Sequence, residues 1–206
     1  PQDVQGQRAY GEEGVERLAS VQARKLTTIR KSHAATLETA RAKMITSGDI
    51  YAPNGTVVGN VYTDFGVTRK QVAMDLTNAA TDILGKQREI VDHIQDNIMS
   101  GETPSEIIAL CSPSYFDAYI SQAGVKEAYK FYTSTQEPLR NGNWSQFRHG
   151  DITLIRYNGK FKDASGVPQT HIPYGDAYYL PLDTSYTFKT YFSPANKFDL
   201  VNTLGQ

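Results

Sequence analysis

Between Val15 and Met44 the chain places Val15, Leu18, Gln22, Leu26, Ile29, His33, Leu37, Ala40 and Met44 at steps of three or four. That spacing lines one stripe of an α-helix. The pattern predicts a single long helix from Glu12 to Ser47, without Pro and with Gly14 as its only Gly. Glu12, Glu13 and Glu16 suit the positive end of its dipole, and Arg41 and Lys43 suit the negative end. Ser47-Gly48 supplies the stop. At ~1.5 Å per residue the rod is roughly 50 Å long. A chain of 206 residues can hardly cover such a rod, and Gln22 and His33 interrupt its stripe. Part of it is therefore expected to meet water or another subunit. Two readings follow: a surface helix with one core-facing side, or the spine of an assembling subunit.

After the helix the period changes. Ile50-Tyr51-Ala52-Pro53, Asn54-Gly55 and Thr56 to Tyr62 read as an edge hairpin, with Asn-Gly as its turn. Gly66 through Leu76 mixes helix and strand signals. Asn78 to Ser100 reads as a helix with Ile83, Gln87, Ile90, Ile94 and Ile98 on one face, capped by Gly101 and stopped by Pro104. Glu106 to Cys111 reads as a short buried strand. Ser112-Pro113 then starts a helix bearing Tyr115, Phe116, Tyr119 and Ile120, broken at Gly124 and resumed from Val125 to Tyr132. Residues 133–147 are polar and loop-like, with Trp144 and Phe147 as anchors. Asp151 to Tyr157 is a strand, Asn158-Gly159 a turn, Lys160-Phe161 the start of a return, and Asp163 to Gly166 a loop. Gly175 to Leu182 is a further strand, and the remainder is aromatic and irregular. Helix, hairpin, then a mixed block is an α+β order rather than a doubly wound sheet.

Composition narrows the function. The formal net charge is -1, without the overall basic excess of a nucleic-acid-binding module. One cysteine, Cys111, excludes an internal disulfide and a cysteine metal site. No apolar run approaches the ~20 residues that span a bilayer, and no signal peptide is visible. The chain opens on Pro1 and closes on Gln206 without a terminal element, so it reads as the middle of a longer protein.

The residues that carry chemistry are sparse. His33, His93, His149 and His171 show no HExxH spacing. His171 and Asp176 share a polar loop, and a catalytic pair there is the enzymatic alternative; a structural loop histidine is the plainer reading. Ser112 has no GxSxG context and is explained as a cap. Cys111 ends an apolar strand and is read as a small buried hydrophobe. No P-loop or GxGxxG is present, and no cofactor or metal is expected. The 13 tyrosines are not interleaved with clustered Arg and Lys, so core and interface packing explains them better than nucleic-acid stacking.

A resemblance adds to this reading. Ile107 to Phe116, with its strand-then-Pro-helix form, resembles a segment of lambda-type phage major capsid proteins, the major head protein E family. Gly150 to Phe161 resembles that family's hydrophobic strand and turn, and Ile172 to Pro181 its proline, short loop and next strand. The upstream order of charged long helix, Gly-Asp hairpin and further helix also matches, so the resemblance runs from about residue 10 onward.

The resemblance implies a Hong-Kong-97-like capsid subunit. Residues 1–11 would be an arm or linker, 12–67 the peripheral-domain spine helix and hairpin, 68–190 the axial domain, and 191–206 a return segment. It implies a structural, non-enzymatic subunit of a tailed-phage or prophage head. Hexamers and pentamers would enclose double-stranded DNA, with a scaffold or decoration protein as partner and no membrane. The subunit would reside in the virion after assembly in the bacterial cytoplasm. The family's extended loop precedes the spine helix, and no Lys–Asn crosslinking site is matched. Leu26, Ile29, His33, Leu37, Tyr51, Val57 and Tyr62 are the candidate subunit contacts. The alternatives are a hydrolase-like enzyme using the His171/Asp176 loop and a cargo-enclosing shell of the same fold.

Overall fold

In a computed structural model, residues 18–52, 55–98, 102–132, 145–162 and 166–189 are described. Among them the chain runs α1 (Leu18–Thr46), β1 (Asp49–Tyr51), β2 (Val57–Asn60), α2 (Val61–Phe65), α3 (Ile83–Asn97), β3 (Glu106–Cys111), α4 (Pro113–Ser121), α5 (Ala123–Tyr132), β4 (Gln146–His149), β5 (Ile152–Arg156), β6 (Lys160–Lys162), β7 (Pro168–Thr170) and β8 (Ala177–Leu182). This is the mixed α+β content that the pattern predicts. The chain divides into two compact units, Pro1–Arg69 with Gly159–His171, and Lys70–Asn158 with Ile172–Gln206.

The first unit is built on α1, 29 residues and therefore about 43 Å long. The predicted residues 12–17 lie outside the described part. The helix stops at Gly48, whose φ of 75° is left-handed and whose N–H donates to the carbonyls of Lys43 and Met44. β1 and β2 pair antiparallel, Asp49 opposite Asn60 and Tyr51 opposite Val57, with an irregularity after Ile50. The hairpin is the predicted one, but its reversal closes by Gly55 N–H donating to Ala52 O and Ala52 N–H to Thr56 O. Asn54, half of the predicted Asn-Gly turn, lies outside the described residues.

The second strand was expected to continue through Tyr62, yet it ends at Asn60 and α2 begins. The Asn60 side chain accepts from the N–H groups of Tyr62 and Thr63, and its own N–H donates to Asp64. This reciprocal cap satisfies the orphan amides of a helix start and outweighs the β-propensity of Val61-Tyr62. The predicted return strand at Lys160 pairs with β7, Lys160 opposite Thr170, and not with β5. His171 N–H donates to Gly159 O, which closes the base of this second hairpin.

The second unit centres on β3, where Ile107, Ala109 and Cys111 alternate inward. Its four-stranded sheet has the order β4-β5-β3-β8. β3 is parallel to β5, Ala109 opposite Leu154, and antiparallel to β8, Ala109 opposite Tyr179. Ile83 and Ile90 of α3, with Phe116 and Tyr119 of α4, pack with these strands in one core. Helix α3 starts at Ile83 rather than Asn78. Asp82 is its N-cap and accepts from Gly85 N–H, while Asn78 to Ala80 form turns. Ser112 caps α4 with Pro113 in its first turn, as the sequence predicts. The break before α5 falls at the extended Gln122, not at Gly124, because the Gln122 side chain accepts from Val125 N–H and caps the new helix. β4 and β7 occupy stretches that read as loop. Trp144 and Gly101 lie outside the described residues, while Phe147 packs against the core.

Candidate assembly surface

The stretch that joins α1 to its hairpin is held from several sides. Ser47 Oγ donates to Asp49 Oδ2 at 2.6 Å. Asn60 Nδ2 donates to Asp49 Oδ1 at 2.8 Å and to Ser47 O at 2.9 Å. These bonds from Ser47 and Asn60 hold the Asp49 carboxyl below its usual range. Val61 N–H donates to Gly48 O. The Tyr62 ring lies against Gly48 so closely that a Cβ there would sit 2.6 Å from the ring. Arg69 stacks over the other residue of this contact, its guanidinium 5.9 Å from the Tyr62 centroid, and donates to Thr46 O. The hairpin therefore leaves the helix in a fixed direction.

The C-terminal turns of α1 carry the second hairpin. Thr39 Oγ1 is 3.2 Å from His171 Nε2, and the His171 ring stacks on Phe161 at 5.3 Å and 5°. Lys43 Nζ sits 4.9 Å over the Phe161 ring. Burial is the main cause that lowers the His171 pKa. His171 is thus a packed histidine of the first unit. Asp176 belongs to the second, where its carbonyl accepts from Ser112 N–H.

The predicted contact residues fall on the remaining surface of the first unit. Leu26, Ile29 and Leu37 are 51–55% exposed, and His33 between them is exposed. Full burial of a Leu or Ile is worth about 1.5–3 kcal/mol, so each half-exposed side chain leaves about 1 kcal/mol to be gained by docking. Thr27, Thr28 and Thr36 bond back to carbonyls four residues earlier, which satisfies their hydroxyls within the helix. On the hairpin, Val57 is exposed, whereas Tyr51 and Tyr62 are half-buried. Tyr62 serves the elbow at Gly48. Sequence reasoning missed Val58, 70% exposed, and Phe65, 75% exposed. The apolar identity of both was visible, but their outward direction depends on the strand irregularity and on α2.

The other chemical candidates are absorbed by packing. Ser112 Oγ accepts from Tyr115 N–H at 3.3 Å and Gly175 N–H at 3.1 Å. Cys111 is buried, and desolvation pushes its thiol up to about 12. His149 Nδ1 is hydrogen-bonded with the Tyr119 hydroxyl at 2.7 Å, and burial lowers the histidine's pKa. Among the described residues no cluster of three His, Cys, Asp or Glu could hold a metal. No described helix is long and apolar enough to cross a membrane.

Apolar side chains are thus exposed both on the long helix and on the braced hairpin. The chain belongs to the phage major capsid protein E family, whose model matches residues 1–206. It is 39% identical over 220 aligned positions to the major capsid protein of Pseudomonas phage KPP10, covering 100% of this chain and 63% of that protein. It is 26% identical over 237 positions to the major capsid protein of Salmonella phage Felix O1, with 100% and 63% covered. The chain thus spans 63% of the length of the curated relatives it matches.

Proposed function

We propose that this chain is the structural subunit of a phage head, or the greater part of one, and acts by packing against copies of itself rather than by catalysis. The observation that carries the reading is the match of the capsid family over the whole chain. The exposed stripe of α1 and the braced hairpin support it, because shell building needs broad, stiff, apolar contact surfaces. The subunit is read as Hong-Kong-97-like, with residues 12–67 as spine and hairpin of the peripheral domain and 68–190 as the axial domain. Gly159–His171, which packs in the helix-bearing unit, would then be an extension of the axial segment into the peripheral one.

In this reading the subunit forms hexamers and pentamers around double-stranded DNA, with a scaffold or decoration protein as partner. It assembles in the bacterial cytoplasm and resides in the virion. Leu26, Ile29, His33, Leu37, Tyr51 and Val57 are subunit contacts, and Tyr62 contributes by fixing the hairpin.

Negative-stain electron microscopy of the full-length protein tests this. Closed shells or rings of five and six are expected. A monomer that stays monomeric at high concentration with its scaffold present would overturn the reading.

A further inference from the structure

Asn158-Gly159 reads in the sequence as a turn, because an Asn-Gly hairpin turn needs a positive φ at both positions. In the structure neither residue has a positive φ. The backbone therefore gives no reason for Gly at 159. The pair lies between two fixed points. Tyr157 N–H donates to Cys111 O at 2.9 Å, and Gly159 O accepts from His171 N–H at 3.0 Å. Asn158 is the single residue between them, and it is exposed.

The asparagines among the described residues are Asn60, Asn78, Asn97 and Asn158. Asn60 Nδ2 donates to Ser47 O and Asp49 Oδ1. Asn78 Oδ1 accepts from Ala80 N–H. Asn97 Nδ2 donates to His93 O. Among the described residues no hydrogen bond holds the Asn158 carboxamide, and none engages the Gly159 N–H. Val61, Ala79 and Ile98 follow the three held asparagines, and their side chains shield the next backbone nitrogen. Gly159 has no Cβ and leaves that nitrogen open to close approach.

We infer that Asn158 is a site of spontaneous covalent modification, at which the chain converts its own carboxamide through the Gly159 nitrogen. That nitrogen loses its proton to base and bonds to Asn158 Cγ. The Cγ–Nδ2 bond breaks, and Nδ2 takes up a proton and leaves as ammonia. The product is a five-membered succinimide. Water then opens the ring, giving aspartate when the side-chain carbonyl is attacked and isoaspartate when the backbone carbonyl is attacked. No oxidant or cofactor enters. The isoaspartyl form adds one methylene to the backbone between the Tyr157 and Gly159 hydrogen bonds. β5 is paired on both sides within a four-stranded sheet, whereas β6 and β7 make a sheet of their own with three paired positions. The added length is therefore taken up at the Gly159–His171 bond, which closes the base of the β6–β7 hairpin. This concerns the single chain and stands whether or not the subunit assembles.

Ageing of the full-length protein in mildly alkaline buffer tests it. Peptide mapping by mass spectrometry follows loss of each carboxamide, and enzymatic methylation detects isoaspartate. Conversion at residue 158 is expected to run several-fold faster than at Asn60, Asn78 and Asn97, and to accelerate with pH. Gly159→Ala suits a backbone without a positive φ, and its methyl group should slow the conversion several-fold while Asn158 is retained. Hydrogen exchange of the His171 amide should accelerate in the isoaspartyl fraction, with the β3 amides unchanged. Retention of the carboxamide at 158 in the folded protein would overturn the inference, as would equal rates at all four asparagines. Unchanged exchange at His171 would overturn the structural consequence.

Discussion

The hydroxyl of Tyr119 lies 2.7 Å from Nδ1 of His149, inside the core of the second unit. Gln87 Nε2 donates to the same hydroxyl at 2.6 Å. The Tyr119 hydroxyl is therefore shared between the Gln87 amide and the His149 ring, and burial favours the neutral imidazole. Tyr119 is fully buried and Gln87 nearly so. Tyr119→Phe removes the centre of this chain and leaves the Gln87 amide without that partner. A buried donor left unsatisfied costs about 1–3 kcal/mol. Urea denaturation should show a loss of that size, with an unchanged slope.

The same contact makes stability depend on pH. Burial holds His149 below the ordinary histidine range, and its ring is packed by Tyr119 from α4 and Phe147 from β4. A histidine depressed in the folded state binds its proton more readily when unfolded. Its contribution is therefore complete above the unfolded pKa of about 6.5 and is lost as pH falls below it. His171 is lowered by burial in the same direction. Asp49 and Glu89, which are also lowered, act only in the carboxylate range. Denaturation midpoints should decline between pH 7.5 and 5.5, and His149→Asn, which keeps an acceptor near Nδ1, should flatten part of that decline. A midpoint independent of pH across this window would contradict the assignment.

The parts of the fold that were legible in the sequence are those set by local rules. The three-and-four spacing around Leu26, Ile29 and Leu37 marks α1, and Ser112-Pro113 marks the start of α4. Helix α2 was missed because Val61-Tyr62 favours a strand, although Asn60, Asp64 and Gly66 together signal a short capped helix. The start of α3 was placed too early because Asn78 and Asp82 are both good caps, and the choice is made by the bond from Gly85 to Asp82. β4 and β7 owe their form to pairing with β5 and β6, which no local pattern encodes. Tertiary context likewise brings His171 to Thr39, 132 residues earlier in the chain, a contact that no local pattern encodes.

The elbow between α1 and its hairpin is a second place where one atom matters. Gly48 has a φ of 75°, and an added Cβ would meet the Tyr62 ring at 2.6 Å. Gly48→Ala combines a left-handed backbone with an aromatic clash, and about 1–3 kcal/mol of destabilisation is expected. Asn60→Ala removes both the cap of α2 and the bridge to Ser47 and Asp49, with a cost of about 0.5–2 kcal/mol from the cap alone. Hydrogen exchange of the Val61 and Val67 amides should accelerate in both variants, while those of β3 and β5 keep their relative protection.

Cys111 offers a probe of the second unit. Its side chain is fully buried, and desolvation pushes the thiol up to about 12. At pH 8 the thiolate population is then negligible, whereas an exposed cysteine with a pKa of about 8.5 would be partly ionised. A disulfide reagent should modify native protein only at the rate of opening, and urea should restore the rate of a free thiol. Rapid modification of the native protein would show that β3 is accessible.

The stripe on α1 makes opposite predictions for stability and for assembly. Leu26, Ile29 and Leu37 are about half exposed in the single chain, and none belongs to the buried core of either unit. Surface substitutions of this kind usually change stability by no more than ~0.5 kcal/mol. Ile29→Asp should therefore leave the denaturation midpoint near that of the unmodified protein. At a packed contact the same change buries an unpaired carboxylate at each copy of the interface. Because every subunit repeats the defect, rings and shells should be lost entirely rather than weakened in proportion. Phe116→Ala is the reverse case, since Phe116 is 1% exposed. It should cost about 3–5 kcal/mol, and it reduces assembly only through the fraction unfolded. Sedimentation and denaturation measured on both variants separate the two roles. Normal shells from Ile29→Asp would remove α1 from the contact surface.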